Sequence, residues 1–269
     1  MSDVFLLTGC ASGIGRHLAR ALSNLGHQVL ATDVNEPGLR EAAAKDGWGE
    51  KVKLQALDVR DRGQWQAALE AALKHFGRLD VLLNIAGYLK PGWTWEVDQA
   101  QIDRHLDINV KGVMHGVCVV GEHFKNQRKG HVINIGSLAS LAPVPGLSLY
   151  SSSKFAVRGF TLAAAQELAP HGVKVTLVMP DAVQTPMLDL QVDYEQAAMT
   201  FSGPKALTVE DIERAIIDEV LPNAPLELPL PFTRGAIARV ATFLPAAVVK
   251  LGPLFMKKGR AEQEKRKGR

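Results

Sequence analysis

Three residues near the middle of this 269-residue chain have the types and spacing for proton transfer: Ser137, Tyr150 and Lys154. Tyr150 and Lys154 are four apart in a stretch, residues 150–168, that reads as a helix, so both lie on one face. A free tyrosine ionises near pH ~10, too high for a base at neutral pH. A neighbouring ammonium favours the phenolate and lowers that value. Tyr150 could then take the proton of an alcohol or, in reverse, give one to a carbonyl. Ser137 lies just past an apolar run and can hydrogen-bond the same oxygen as charge develops on it. Taken singly, the three could be a helix residue, a solvated charge and a cap; their joint spacing argues for a site.

A second chemistry-bearing stretch is Thr8-Gly9-Cys10-Ala11-Ser12-Gly13-Ile14-Gly15, which follows an apolar run and opens a helical one. Glycines there admit positive φ and let a backbone approach a pyrophosphate, while the helix N-terminus offers free N–H groups and partial positive charge. Asp33 ends the next apolar run, at the distance where a carboxylate accepts from a ribose 2′-OH. No Arg or Lys follows it directly, and Ser12 stands where a cation could have met a 2′-phosphate. NAD is therefore expected over NADP.

Elements that could position these groups alternate along the chain. Apolar runs at 4–8, 28–32, 52–57, 81–85, 132–135 and 173–179 are separated by helical stretches to about 25, at 62–75, 102–126 and 150–168. This alternation predicts an α/β fold, a doubly wound parallel sheet of Rossmann type in a single domain. The runs end in Gly9, Asp33, Asp58, Ala86-Gly87, Ser137 and Pro180-Asp181, which such a sheet gathers at one edge. A hydrophobic content of 46% supports a full core and excludes global disorder. Two cysteines, Cys10 and Cys118, suggest neither a disulfide framework nor a metal site; both read as packed small residues in a reducing compartment. The start of the sequence shows no secretory signal, and a cytoplasmic location is expected.

These motifs resemble the classical short-chain dehydrogenase/reductase family over about residues 4–230. The matches are the 8–15 loop, Asp58-Val59, Asn84-Ile85-Ala86-Gly87, Asn109, Ser137, and Tyr150-Ser151-Ser152-Ser153-Lys154. The resemblance implies a nicotinamide-dependent oxidoreductase with Asn109, Ser137, Tyr150 and Lys154 as its catalytic set. It implies cofactor contacts at Gly9, Ser12, Gly13, Ile14, Gly15, Asp33, Asp58, Val59, Asn84, Ala86 and Gly87, and again at Tyr150 and Lys154, the latter on the ribose. It implies that Asn109 interrupts a helix and holds a water linking the lysine to solvent. In 182–187 (Ala-Val-Gln-Thr-Pro-Met), Val183 and Thr185 would meet the nicotinamide carboxamide. It also implies a homodimer or homotetramer paired through the helices at 102–126 and 150–168. Two departures stand out: Ile85 where Asn is frequent, and Asp181 where the family often has Gly. Asp181 reads as a cap or as a carboxylate recognising a polar substrate group, with the cap preferred.

Residues 138–149 offer Leu138, Val144, Leu147 and Leu149 to a substrate pocket, and 187–201 form the variable lid. Neither stretch holds Arg or Lys, so a lipophilic secondary alcohol or ketone is the expected substrate. After residue 230 the chain becomes an amphipathic C-terminal extension, 231–269. Ile237, Val240, Ala241 and Leu244 keep helical spacing, and Pro245, Gly252 and Pro253 are expected to divide the segment. From Lys257 to Arg269 seven basic residues face two acids, a local +5, so the rest carries −2 of the overall +3. A basic tail on an acidic body does not read as a nucleic-acid surface, and no nucleic-acid partner is expected. The tail either contacts an anionic membrane surface or covers the substrate site or a subunit interface, ending frayed. Two rival functions are a non-catalytic NAD-binding regulator, against which the intact Ser–Tyr–Lys set argues, and a 3-oxoacyl-type reductase, which would want NADP and cations near the pocket.

Overall fold

The computed structural model describes residues 2–203 and 205–268. Its strands are β1 (Val4–Thr8), β2 (Gln28–Asp33), β3 (Val52–Ala56), β4 (Val81–Asn84), β5 (Gly130–Ile135), β6 (Val173–Pro180) and β7 (Glu227–Leu230). They form one sheet in the order β3-β2-β1-β4-β5-β6-β7, and every neighbouring pair is parallel. Six strands occupy the six apolar runs; β7 adds an edge. The order reverses between β1 and β4, which opens a crevice beyond the strands' carboxyl ends.

The connections are helical: α1 (Gly13–Asn24), α2 (Glu36–Asp46), α3 (Arg62–Phe76), α4 (Gln99–His105), α5 (Gly112–Gln127) and α6 (Ser148–Leu168). A π-helical turn, Leu106–Lys111, joins α4 to α5. Short helices α7 (Pro186–Asp189), α8 (Val209–Arg214) and α9 (Leu221–Asn223) precede β7, and α10 (Phe232–Phe243) and α11 (Pro245–Lys267) follow it. Local chemistry sets several boundaries. Asp61 caps α3 by accepting from the Gly63 and Gln64 amides, and Gly77 ends it in the left-handed conformation that glycine adopts without strain.

Both faces of the sheet are buried, as period-two strands between two helical layers require. Val4 and Leu6 of β1 join a core with α3, α5 and α6, built around Trp65 and Phe124. Phe5 and Leu7 point the other way, into a core with α1 and α2. Burying each such side chain stabilises the fold by about 1.5–3 kcal/mol. A third, smaller cluster joins Leu89, Leu147, Leu188, Ala197 and Phe201 beside Tyr150. It ties the lid to the catalytic helix.

The C-terminal extension differs from expectation. Gly252 and Pro253 do not divide it: α11 runs unbroken through both to Lys267. An interior proline removes one helical hydrogen bond, yet packing further along holds the helix. Gly259 lies against the lid backbone, where a Cβ would stand 1.9 Å from the Ala198 carbonyl oxygen. The Gln263 amide donates to the Gln191 and Tyr194 carbonyls at 2.9 and 2.7 Å. Arg266 stacks over the Phe201 ring. The tail is thus a strap across the lid instead of a frayed end; Arg269, counted with it above, is outside the described residues. Cys10 is buried as expected, but Cys118 is exposed on α5, so it is not a packed core residue.

Gly259→Ala should lift α11 from the lid and cost about 1–3 kcal/mol in urea unfolding. Gly252→Ala, which meets no atom within 4 Å, should be neutral or stabilising. Equal effects at the two positions would contradict the strap.

Candidate active site

A cavity of about 1050 Å³ begins at the glycine turn, passes Ser137, Tyr150 and Lys154, and ends beneath the lid and the two C-terminal helices. At its first end Gly9 and Gly13 take positive φ, 72° and 54°. Gly15 has no space for a Cβ, which would fall 2.2 Å from the Gly9 carbonyl oxygen. The Thr8 hydroxyl accepts from the Ile85 and Ala86 amides at 2.9 and 3.0 Å, fastening the turn to the end of β4. Ser12 precedes α1 without a side-chain cap, so the positive helix end has no anionic partner from its own cap residue. Ile14 lines the cavity beside these glycines.

Asp33 is held rigidly: one carboxylate oxygen accepts from the Ala11 amide at 2.9 Å, the other from the Asn35 amide at 2.8 Å. Asp58 and Val59 line the same end. Arg60 grips the Asp58 carboxylate, with a shortest contact of 2.6 Å, and holds its pKa below the ordinary range. Ala86 and Gly87 line the next stretch. Val183 and Thr185 face the turn from the segment between β6 and α7, with Thr185 packed against Gly13. These features suit a dinucleotide: a glycine cradle with an uncapped helix end, then a fixed ribose-height carboxylate.

Asn84 is a correction. It does not line the cavity. Strand alternation turns its side chain the same way as Leu82, toward α5, where the absence of a side chain at Gly116 leaves room for it. Its amide donates to Asn134, whose amide donates to Thr161 on α6. The expected cofactor ligand is a buried polar tie between strands and the catalytic helix.

The catalytic group is assembled at the end of β5. Ser137 follows the strand; its hydroxyl accepts from the Ala139 amide at 3.1 Å and lies beside the Tyr150 hydroxyl. Tyr150 and Lys154 share one face of α6, and the Lys154 Nζ sits 5.6 Å from the tyrosine ring centre. The ammonium is buried and donates to the Ile135 carbonyl at 2.9 Å. Burial pushes its pKa down to about 8 and pushes Tyr150 up to about 12, against the opposing pull of the Ser137 hydrogen bond. The chain alone therefore does not depress the tyrosine, contrary to the expectation from i, i+4 spacing: desolvation by burial outweighs the Ser137 hydrogen bond.

Asn109 lies in the π-helical turn and does not line the cavity. Its Oδ1 accepts from the Tyr88 amide at 2.7 Å; its Nδ2 donates to the Tyr88 carbonyl and to Ser153, both at 2.9 Å. Ser153 in turn donates to the Tyr150 carbonyl at 2.7 Å. With both amide hydrogens used, the side chain acts here as a positioning residue for α6. The widened turn that breaks the α-helix matches the interruption the resemblance implies.

Leu138, Val144 and Leu147 line the substrate end; Leu149 does not. Asp181 is not a free carboxylate. It pairs at 2.5 Å with Arg234 of α10, and burial raises its pKa while the guanidinium and the Ala182 amide beside it favour the charged form. Sequence spacing could not disclose this partner, because Arg234 lies in the extension. Cations do line the cavity, then, but they are engaged: Arg60 with Asp58, Arg234 with Asp181, and Arg104 over the Tyr88 ring.

The profile of the short chain dehydrogenases matches residues 3–195. The chain belongs to the short-chain dehydrogenase family. A cyclopentanol dehydrogenase of Comamonas testosteroni is 35% identical over 205 residues, 76% of this chain and 82% of that protein. A 3-alpha-(or 20-beta)-hydroxysteroid dehydrogenase of Mycobacterium tuberculosis is 36% identical over 189 residues, 70% of this chain and 72% of that one. Among solved structures, a short chain dehydrogenase/reductase of Burkholderia phymatum in complex with NAD superposes with a TM-score of 0.80 at 26% identity, covering 93% and 95% of the two chains. ElxO with NADP bound gives 0.77 at 27%, covering 86% and 97%. This short-chain dehydrogenase is an oxidoreductase, and neighbours in its fold bind either dinucleotide.

The burial of Lys154 has a thermodynamic signature. Its folded pKa is about 8, against 10.5 when exposed. Between those values the unfolded chain binds the extra proton, so stability should rise with pH through that window, and the full cost of burial applies below it. Lys154→Met should therefore be more stable than the native protein at pH 7, by about 1–3 kcal/mol in urea unfolding. The margin should close toward pH ~10. A margin that is absent at pH 7, or flat with pH, would contradict the burial.

Proposed function

We propose that the protein uses NAD(H) to interconvert a lipophilic secondary alcohol and its ketone. The observation that carries this reading is the continuity of one cavity, from the glycine turn and Asp33, past the Ser–Tyr–Lys group, to an apolar chamber. A nicotinamide dinucleotide bound along its first half would supply or accept the hydride at the Tyr150 end. The remaining chemistry belongs to the chain. The Tyr150 hydroxyl gives its proton to a carbonyl oxygen, and its phenolate takes one from an alcohol. The Ser137 hydroxyl donates to the same oxygen and stabilises the charge that grows there. The Lys154 ammonium favours the phenolate, and further positive charge nearby would add to that effect.

Asp33 supports NAD over NADP. Its carboxylate is fixed by two backbone amides, so it can accept from a ribose hydroxyl but cannot swing away from a 2′-phosphate. Apolar Leu138, Val144 and Leu147, with the engaged state of Arg104 and Arg234, support an uncharged substrate. The alicyclic alcohols named for the two relatives are substrates of this kind.

Two variants test the reading. Tyr150→Phe keeps the ring and loses the ionisable group, so turnover of a panel of cyclic alcohols should fall by about 10²–10⁴-fold with the fold intact. Retained turnover would overturn the mechanism. Asp33→Ala should shrink the ratio of kcat/KM for NAD over NADP; an unchanged ratio would overturn the cofactor assignment.

A further inference from the structure

The far end of the cavity opens through its own apolar rim. Ile237, Val240 and Leu244 of the α10 end are exposed and also line the cavity, and Leu251 and Phe255 of α11 do the same. Water therefore meets hydrophobic side chains at the mouth of a substrate chamber, an arrangement that costs solvation unless something covers it. Outside the rim, Phe243, Val249 and Leu254 are 83%, 76% and 65% exposed and take no part in the cavity. Contacts of α11 with the lid are made further along, at Gly259, Gln263 and Arg266.

Charge surrounds this apolar surface on one side. Lys250, Leu254, Lys257 and Lys258 fall at i, i+4, i+7 and i+8 and share one face of α11. The three lysines are exposed, as is Arg260, and none of the four has an ion-pair partner among the described residues. The two acids of the tail are engaged with other cations, Glu262 with Lys265 and Glu264 with Lys267. No described helix is long and apolar enough to cross a membrane, so any lipid contact would lie along the surface.

We infer that this rim docks on an anionic lipid bilayer and admits a lipid-borne substrate directly into the cavity. The inference rests on the reading of the cavity as a site for a lipophilic alcohol or ketone. Anionic headgroups would take Lys250, Lys257 and Lys258, while Phe243, Val249 and Leu254 enter the boundary between headgroups and acyl chains. A second copy of the chain is the weaker occupant, because two-fold pairing of this face would set lysine against lysine. The mouth then opens into the bilayer interface, and substrate need not cross water.

Co-sedimentation of the full chain with vesicles tests this. Vesicles of phosphatidylcholine with phosphatidylglycerol should carry the protein down, pure phosphatidylcholine vesicles far less, and added salt should weaken the binding. Lys257→Glu/Lys258→Glu should lower partitioning at least about tenfold. Phe243→Ser/Val249→Ser/Leu254→Ser should do likewise, and both variants should keep native turnover of a water-dispersed alcohol. Absence of wild-type binding to the anionic vesicles would overturn the docking surface and leave the oxidoreductase reading standing, since that reading is decided by turnover without lipid. Equal partitioning of wild type and variants would overturn it too. So would a change of oligomeric state in the three-serine variant, by sedimentation velocity, without a change in vesicle binding: the face would then be a contact between copies.

Discussion

A buried ammonium must be held in place, and much of the active-site architecture follows from holding this one. Lys154 gives up most of its water and receives the Ile135 carbonyl in exchange. That exchange requires β5 to end where it does, and α6 to start close behind it with Tyr150 on the same face. Asn109 and Ser153 then fix the backbone at Tyr150, and the Asn84–Asn134–Thr161 chain ties the same helix to β4 and β5. Each of these buried side chains has a hydrogen-bond partner, as the interior demands. The destabilisation at Lys154 is thus localised, and the surrounding cores carry it.

The same burial keeps Tyr150 protonated in the protein alone. A hydroxyl pushed up to about 12 stays protonated at neutral pH, so little phenolate is present to act as a base. Positive charge placed beside it changes that balance, so the tyrosine is suited to act as a base chiefly when an oxidised dinucleotide stands next to it.

Much of this was legible in the sequence, for identifiable reasons. The strands are short apolar runs that end in residues with polar or conformational roles, so both the alternation and the site edge could be read. Ser137, Tyr150 and Lys154 are close in sequence, and their meeting follows from one helix and one strand end. Legibility failed where distant segments meet. Asp181 gives no sign of Arg234, and the periodicity of α10 could not say that its apolar side chains face the cavity mouth. Asn84 resembled a cofactor ligand, but strand parity turned it inward. β7 was invisible because Glu-Leu-Pro-Leu is short and contains a proline, which an edge strand tolerates. Pro253 suggested a break that packing on the lid overrides.

Burial holds Tyr150 protonated, and positive cofactor charge beside it would draw the proton off. Ultraviolet difference titration of tyrosinate tests this most directly, comparing the native protein with Tyr150→Phe, each alone and with NAD+ or NADH at saturation. One tyrosine, absent from the variant, should ionise near pH 12 in the protein alone and at clearly lower pH with NAD+, with a smaller shift for NADH. An ionisation already near neutral pH without cofactor, or one that NAD+ does not move, would contradict it.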